Sequence, residues 1–282
     1  MSTPTTAPAP TTPGTRALLD AVARGPRTIE LGQPLFTGMP CSPNHPGFRM
    51  TLIRRHGDMV RPDGGSASNE ILVTGGHVGT HVDALAHVSH DGCLHGGVDA
   101  LEAQIGGVHT EHGAERIPPM ITRGVLLDVA ATRGVAVLEP GEGVTADDLA
   151  AAAERAGVEP ARGDVALVRT GWARHFDDAV TYLGQSDGVP GVTEDGARWL
   201  AERGVVATGS DTTAFERIPP GAGHRVLPVH RILLVEHGVH IVEHLALEDA
   251  SAEGLTEFLF VMAPLRIVGG TGSPVRPVAV LA

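Results

Sequence analysis

Apolar residues along this chain recur in short runs that are separated by turns rich in glycine and proline. Runs of four to eight residues rich in Val, Ile, Leu and Phe are typical of buried strands. Runs of this kind are TIELGQPL (28–35), RMTLIRRH (49–56), VLLDVA (125–130), DVALVR (164–169), VVATGSD (205–211), VHIVEHLAL (239–247), FLFVMAPL (258–265) and VRPVAVL (275–281). The longer stretch NEILVTGGHVGTHVDALAHV (69–88) also has the alternating, β-branched character of extended chain. The pattern therefore predicts strands through most of the chain.

Helical patterns fall between these runs. TADDLAAAAERAG offers Thr145 as N-cap, Asp148 at the third helical position and Gly157 at the exit, which are the signals of a capped helix. TEDGARWLAERG repeats that pattern from Thr193 to Gly204. RALLDAVARG near the N-terminus and HRILLVEHG downstream also have helical periodicity.

Strands that alternate with helices, followed by strands in succession, predict a mixed α/β fold with helices packed on a sheet. Residues 1–16, MSTPTTAPAPTTPGTR, form a Thr/Pro/Ala-rich stretch that is typical of a disordered tail. No linker or internal repeat is visible after it, so we expect one domain over residues 17–282.

Composition excludes several classes of protein. The formal net charge is −12 and no run of Lys or Arg occurs, which argues against nucleic-acid binding. Neither a secretory signal nor an apolar run of about 20 residues is present, so we expect a cytoplasmic protein with no membrane partner. Two cysteines, Cys41 and Cys93, do not suggest a disulfide framework.

The stretch HVGTHVDALAH, from His77 to His87, holds the strongest candidate chemistry. If 77–83 is extended, then His77, His81 and Asp83 point to one face, because side chains alternate along a strand. Two imidazoles and a carboxylate suit Zn²⁺, Mn²⁺ or Fe²⁺. Three protein ligands leave coordination positions open, as in catalytic rather than structural sites.

An alternative interpretation is that these residues are ordinary solvated or core histidines, since the chain contains fifteen. Three ligand-type residues of one parity around a glycine favour the metal site. His87 follows the predicted strand, and it is either a further ligand or a general acid/base, because imidazole titrates near neutrality.

A second acidic and histidine-bearing segment lies far downstream, in VHRILLVEHGVHIVEHLAL. Glu243 would share a strand face with apolar residues, which is costly for a carboxylate unless it is paired or binds a metal. His240 and His244 would take the opposite face, so we expect them at the surface. His230 precedes a helical run, and its pattern alone leaves open whether it reaches the same cleft.

Substrate-binding signals are weak. Trp172 and Asp211 follow predicted strands, where α/β folds commonly open their ligand crevice. Phe36 and Phe48 are among the few aromatic residues near candidate pocket segments, since aromatics make up only 3 % of the chain. GGTGSPVRP (269–277) is a turn or, as a weaker alternative, an anion-binding nest of backbone amides.

HVGTHVDALAH resembles the H-x-G-T-H-x-D-x-P-x-H signature of the cyclase family of metal-dependent hydrolases, which includes kynurenine formamidases and isatin hydrolases. Further segments resemble that family in its order: RGVLLDVA, LEPGEGVTADDL, DVALVRTGW, GSDTTAFE, PVHRILLVEHGVHIVEHLAL and GGTGSPVRP. The chain has Leu85 where the signature has proline and Val88 where phenylalanine commonly follows, features of a longer "DALAH" branch.

The resemblance implies a swivelling β/β/α fold that assembles as a homodimer or homotetramer. It implies that a first metal is bound by His77, His81 and Asp83, and that Asp83 bridges to a second. His230 and Glu243 would hold that second metal.

We therefore expect an arylformamidase-like hydrolase that needs one or two Zn or Mn ions and acts on C–N bonds other than peptide bonds. Its substrate would be a small molecule, possibly aromatic, with an amide, formamide or cyclic amide/lactone bond, and His87 would be the general acid/base. Two alternatives remain open: a metal-dependent cyclase or dehydratase, and a non-catalytic metal-binding protein.

Overall fold

The computed structural model describes residues 13–223, 225 and 227–281. The strands are β1 (Arg27–Glu30), β2 (Arg49–Arg54), β3 (Asn69–Val73), β4 (His81–Asp83), β5 (Gln104–Ile105), β6 (Val108–His109), β7 (Met120–Asp128), β8 (Gly143–Val144), β9 (Val165–Arg169), β10 (Gly191–Val192), β11 (Ala207–Ser210), β12 (His240–Glu243), β13 (Glu257–Met262), β14 (Gly272–Pro274) and β15 (Val278–Leu281).

The helices are α1 (Pro13–Ala23), α2 (Val129–Thr132), α3 (Ala146–Ala156), α4 (Ala179–Leu183), α5 (Glu194–Glu202), α6 (Pro228–His230) and α7 (Glu248–Ala252). A π-helix, Arg231–His237, continues α6 without a break. Short 3₁₀ turns lie at His95–Gly97, Ala114–Arg116 and Trp172–His175.

Nine strands form one mixed sheet in the order β1-β15-β13-β7-β9-β11-β12-β4-β14. The central strands β7, β9, β11 and β12 run parallel to one another. Antiparallel strands extend the sheet on both sides, with β13, β15 and β1 on one side and β4 and β14 on the other. The predicted mixed α/β class is confirmed.

Apolar side chains cover both faces of this sheet. On one face, Leu149 of α3, Leu200 of α5 and Leu233 of the π-helix pack against the central strands. On the other face, Leu31 and Phe260 belong to a second core that includes residues of β1, β13 and β15. Because both faces are covered, the parallel strands read as continuous apolar runs, as the sequence shows.

The helix signals in the sequence identify most of the helices. Thr145 caps α3 and forms a capping box with Asp148, and Gly157 ends the helix with a positive φ, as predicted. HRILLVEHG is helical as predicted, but most of it is wound as a π-helix, a form found frequently at functional sites.

The N-terminal prediction is tested only in part. Residues 1–12 of the predicted tail lie outside the described residues, and α1 begins at Pro13, so residues 13–16 are helical rather than part of a tail. Within the described part of the chain, no helix combines the length and the apolar character needed to cross a lipid bilayer.

Candidate metal centre

The three-residue strand β4 lies between β12 and β14 and pairs antiparallel with both. His81 is opposite Glu243 of β12, and Asp83 is opposite Gly272 of β14. The sheet order therefore brings Glu243, far along the chain, next to the histidine motif. His77 reaches the same place from the turn that precedes β4.

The expectation of a continuous strand over residues 77–83 is wrong, because only 81–83 is strand. Gly79 has φ +66°, which ends the extended backbone, and an added Cβ there would lie 2.4 Å from Leu35 Cδ2. The side chains still converge: His77 Nδ1 lies 2.8 Å from Asp83 Oδ1. A tight glycine turn, rather than strand alternation, brings His77 to Asp83.

His77 and His81 are both oriented by further hydrogen bonds. His81 Nδ1 donates to the Gly79 carbonyl at 2.8 Å, so its Nε2 faces Asp83 Oδ1 at 3.5 Å and Glu243 Oε2 at 3.4 Å. His77 Nε2 lies 2.9 Å from Thr271 Oγ1, within the GGTGSPVRP segment. That segment includes β14, which pairs with β4, the strand that carries His81 and Asp83.

His230 and Glu243 complete the cluster from the opposite side of Asp83. His230 Nε2 lies 3.2 Å from Glu243 Oε1 and 3.6 Å from Asp83 Oδ2. All five side chains are buried: His77, His81, Asp83, His230 and Glu243. The two oxygens of Asp83 thus face different groups of nitrogens, an arrangement suited to a bridging carboxylate.

Sequence reasoning missed Glu216 as a functional residue, although it lies in the quoted segment GSDTTAFE. Its Oε1 accepts a hydrogen bond from His230 Nδ1 at 2.6 Å. Burial lowers the pKa of His230, but the close contacts with Glu216 and Glu243 and their negative charges outweigh it and hold that pKa well above its ordinary value. The His230 ring is thus held between two carboxylates.

The carboxylate of Asp83 is strongly stabilised in its charged form. Burial raises its pKa, but the neighbouring rings of His87, His77 and His81 outweigh this and hold the pKa well below its ordinary value. Asp83 is therefore an ionised oxygen donor at neutral pH, which is the form that binds a cation.

His87 lies over the ligand cluster. Its ring stacks on that of His77, with centroids 3.9 Å apart and planes 28° apart, and it lies 6.1 Å from the ring of His230. Burial lowers the pKa of His87 to about 3, and the neighbouring histidine rings add to this while Asp83 opposes it. The imidazole is therefore neutral at pH 7, and the charge of Asp83 is the contribution that favours its protonation.

The predicted surface position of His244 is wrong, because the side chain is buried. β12 ends at Glu243 and His244 has φ +56°, so strand alternation stops and the ring turns inward. It lies 5.7 Å from the His81 ring and 5.4 Å from the Tyr182 ring. His240 is half-buried rather than exposed, and its Nδ1 donates to the Asp83 carbonyl.

Three buried atoms of the cluster have no hydrogen-bond partner: His81 Nε2, Asp83 Oδ2 and Glu243 Oε1. Buried polar atoms without partners are costly, and a cation between them would remove that cost. Among the described residues, three groups each bring their ligand atoms within 4.8 Å of one another. The groups are His77, Asp83 and His87; Asp83, His230 and Glu243; and His81, Glu243 and His244. The residues present therefore fit a divalent metal.

Two residues on the wall of a cavity of about 240 Å³ connect it indirectly to the cluster. Asn44 precedes His45, whose ring stacks on His77, and Thr213 Oγ1 lies 3.5 Å from His244 Nε2. Among the described residues, none of the proposed metal ligands is on this wall, and its side chains are uncharged: Ser42, Pro43, Asn44, Leu183, Gln185, Thr213 and Ile218.

The weakly predicted substrate-binding residues lie elsewhere. Asp211 is fully buried and accepts hydrogen bonds from Thr170 and Gly171, which favours a role in holding that turn. Trp172 is buried and donates to the Tyr182 carbonyl. Phe48 is buried and Phe36 is exposed, and neither is on the wall of that cavity.

Comparison with known proteins identifies the family of the chain. Residues 29–217 match the profile of a family described as "Putative cyclase", which covers more than half of the chain. The chain belongs to the cyclase family. Of the predicted ligands, His77, His81 and Asp83 lie within the matched range, whereas His230 and Glu243 lie beyond it.

Individual proteins similar to this chain include two enzymes with named activities and one solved cyclase. An isatin hydrolase from Roseibium aggregatum is 27 % identical over 214 residues, which cover 74 % of this chain and 73 % of that protein. A kynurenine formamidase from Bordetella petrii is 35 % identical over 80 residues, 28 % of this chain and 34 % of that protein. The crystal structure of a novel cyclase superposes with a TM-score of 0.82 at 26 % identity, covering 95 % of this chain and 91 % of that one. The first two are named for hydrolytic activities, and the third is described as a cyclase.

Proposed function

We propose that this cyclase-family chain is a metal-dependent hydrolase of an amide, formamide, cyclic amide or lactone bond in a small molecule. One observation carries the proposal: a neutral imidazole, His87, stacks on His77 at the edge of a buried His/Asp/Glu cluster. A metal site that only stabilised the fold would not need a general acid/base beside it. Hydrolysis of a C–N or C–O bond does need one.

The ligands divide around Asp83. His77, His81 and Asp83 would hold a first Zn or Mn ion, and Asp83, His230 and Glu243 would hold a second. When bound at such a site, a divalent metal polarises a carbonyl and makes water more acidic. The nitrogen and oxygen donors suit zinc and manganese equally.

His87 would move the proton in both halves of the reaction. Its neutral ring accepts a proton from the attacking water, and the resulting imidazolium donates that proton to the leaving nitrogen or oxygen. His77, stacked on the ring, and Asp83, whose charge favours the imidazolium, hold and stabilise it in this position. The negative charge of Asp83 would therefore stabilise the imidazolium that His87 forms during the reaction.

The cavity connected to the cluster through Asn44 and Thr213 is the candidate substrate pocket. Its volume of about 240 Å³ suits a compact molecule, and the described side chains on its wall carry no charge, which favours an uncharged substrate. Neutral formamides, cyclic imides, lactones and isatins all have this character. An aromatic ring would pack against Leu183 and Ile218, while Asn44 and Thr213 offer hydrogen-bonding groups.

Metal analysis of the purified protein tests the proposal first. We expect one or two Zn or Mn ions per chain in the wild type, and fewer in His81→Ala, because that substitution removes a buried ligand. His90→Ala, an exposed histidine outside the cluster, is the matched control and should retain wild-type metal content. A folded wild-type protein without bound divalent metal, after incubation with Zn²⁺ and with Mn²⁺, would contradict the proposal.

An activity screen tests the reaction type. The metal-loaded protein is incubated in ¹⁸O-labelled water with N-formyl aromatic amines, isatins, lactones and cyclic imides. Hydrolysis places the label in the carboxylate or formate product. A product that forms by ring closure or loss of water, without label from solvent, would support a cyclase or dehydratase instead.

A further inference from the structure

The chain delivers Glu216 to the metal centre through a strained turn. Phe215, just before it, is fully buried and has φ +56°, a conformation uncommon for residues other than glycine. The Glu216 amide bonds back to the Ala214 carbonyl, and Glu216 pairs with Val192 in an isolated bridge. Strain of this kind persists only where the surrounding structure enforces it, and it is concentrated at functional sites.

Both oxygens of the Glu216 carboxylate accept hydrogen bonds from residues of α6. Its Oε1 accepts hydrogen bonds from His230 Nδ1 at 2.6 Å and from the His230 amide at 3.0 Å, and its Oε2 accepts from the Val229 amide at 3.3 Å. The side chain is 1 % exposed. Within the described part of the chain, the ion pair that Glu216 forms is with His230.

These contacts decide which nitrogen of His230 faces the cluster. The Glu216 oxygens accept from two backbone amides as well as from His230 Nδ1, so Nδ1 is the nitrogen that donates to Glu216. Nε2 faces Asp83 Oδ2 and Glu243 Oε1, and it is the nitrogen whose lone pair would bind a metal there once its own proton has left. With the other tautomer, an N–H group would occupy the position where a ligand lone pair is needed.

His230 differs in this respect from His81. The Nδ1 of His81 donates to a neutral carbonyl, that of Gly79, whereas the Nδ1 of His230 donates to a carboxylate. A carboxylate behind an imidazole fixes the orientation of the ring and raises its basicity as a ligand. His81 and His230 therefore differ in the group that accepts the hydrogen bond from Nδ1, which is a backbone carbonyl for His81 and a carboxylate for His230.

We propose that Glu216 is a positioning residue of the metal centre, which holds His230 as an Nε2 ligand by fixing the proton on Nδ1. The inference rests on the proposed function, in which His230 binds a metal. Glu216 contacts neither substrate nor reacting atoms in this role and acts only through His230.

Glu216→Gln tests the proposal, because glutamine keeps the size of the side chain but cannot accept hydrogen bonds at both ends. Metal content and affinity are measured by elemental analysis and by chelator competition, with His230→Ala identifying the ion that depends on His230. We expect Glu216→Gln to weaken binding of that same ion about 10- to 100-fold. Binding of any ion that His230→Ala retains should not change.

Asp164→Asn is the matched control, because Asp164 is also a buried carboxylate but pairs with Arg123, away from the cluster. It should bind metal as the wild type does, and circular dichroism should show that all variants are folded. If Glu216→Gln binds every ion with wild-type affinity, the inference is overturned while the proposed function stands. If the wild type binds no ion, the proposed function fails, and the inference fails with it.

A measurement on the wild type needs no variant at this position. In ¹⁵N spectra of the Zn-loaded protein, assigned by comparison with His230→Ala, we expect a proton on His230 Nδ1 and none on Nε2. A proton on Nε2 instead would overturn the inference even if Glu216→Gln failed to fold.

Discussion

Asp83 is the side chain at which the two groups of ligands meet. One oxygen faces His77 and His81, and the other faces His230. Because the carboxylate is fully buried, its charge is screened little by water and acts on both groups at once. We therefore expect substitution of Asp83 itself to affect both groups of ligands.

At His87 we expect substitution by alanine to separate proton transfer from metal binding. Without the imidazole, kcat should fall about 10²- to 10⁴-fold, which is the range for loss of a general acid/base. Metal content should stay at the wild-type value, because the ligands of both proposed sites remain. The measurement is elemental analysis together with steady-state kinetics on the best substrate of the screen.

Loss of metal in His87→Ala would instead make His87 a ligand, as its grouping with His77 and Asp83 allows. An unchanged kcat with intact metal would remove His87 from the mechanism. His90→Ala again serves as the control for removal of a histidine.

Several residue-scale features could be predicted and others could not. His81 and Asp83 share a face as the parity of the sequence indicates, and the unusual carboxylate on β12 does reach the cluster. The burial of His244 was not predictable, because it depends on a positive φ that no local rule assigns to histidine. Glu216 gives no sequence signal of its own, since its role depends on a contact with a residue fourteen positions away.

At the scale of elements, β14 comes unusually close to the histidine turn. An added Cβ at Gly272 would lie 2.6 Å from His77 Cε1, and the ring cannot easily move away because Asp83 and Thr271 hold it. Glycine at this position therefore provides the space in which His77 is oriented.

Gly272→Ala should displace the His77 ring and lower metal affinity about 10- to 100-fold, as substitutions that disturb ligand orientation do. Overpacking should also lower the free energy of unfolding by about 1–3 kcal/mol. Chelator competition and denaturant titration measure the two effects. Gly47→Ala, where the nearest atom to the new Cβ is 4.0 Å away, is the control and should change neither quantity appreciably. Wild-type affinity in Gly272→Ala would mean that the His77 ring position is not critical.

The predicted and observed elements differ most where glycine or proline changes the backbone within an apolar pattern. Apolar runs identified the strands of the central sheet because burial on both faces leaves a continuous signal. The turn at Gly79 lies within a stretch that looks like a strand, and the pattern cannot reveal the sign of a φ angle. The π-helix after Pro228 has the same apolar spacing as an α-helix over one or two turns, so sequence cannot separate them.

At the scale of the whole molecule, the proposed ligands come from segments separated by more than 160 residues, since His77 and Glu243 are both among them. A metal that binds these together stabilises the folded chain, because it binds the native state and not the unfolded one. At a free-metal concentration of 100 times Kd, the gain is about 2.7 kcal/mol.

We therefore expect chelation to lower Tm by several degrees, and re-addition of Zn²⁺ or Mn²⁺ to restore it. Differential scanning calorimetry with and without chelator makes the measurement. In His81→Ala the Tm should respond much less to metal, and a wild-type Tm that is independent of metal would contradict a centre formed across the fold.

Assembly belongs to the same scale and stays a prediction. The hairpin formed by β2 and β3 exposes apolar side chains, among them Met50, Ile53, Leu72 and Val73. The expected homodimer or homotetramer came from family resemblance.

The edge strands of the sheet have a practical consequence for protein engineering. β1 and β15 are paired antiparallel, with Arg27 opposite Leu281, so the first and last strands are hydrogen-bonded neighbours at one edge. β4 and β14 lie at the other edge, seven and eight strands away in the sheet order. The other end of β1 leads toward the ligands, because Gly32 bridges to Leu245 and the Gln33 amide donates to Thr80. A fusion partner or surface tether therefore belongs at the end of this pair where Arg27 and Leu281 lie opposite each other.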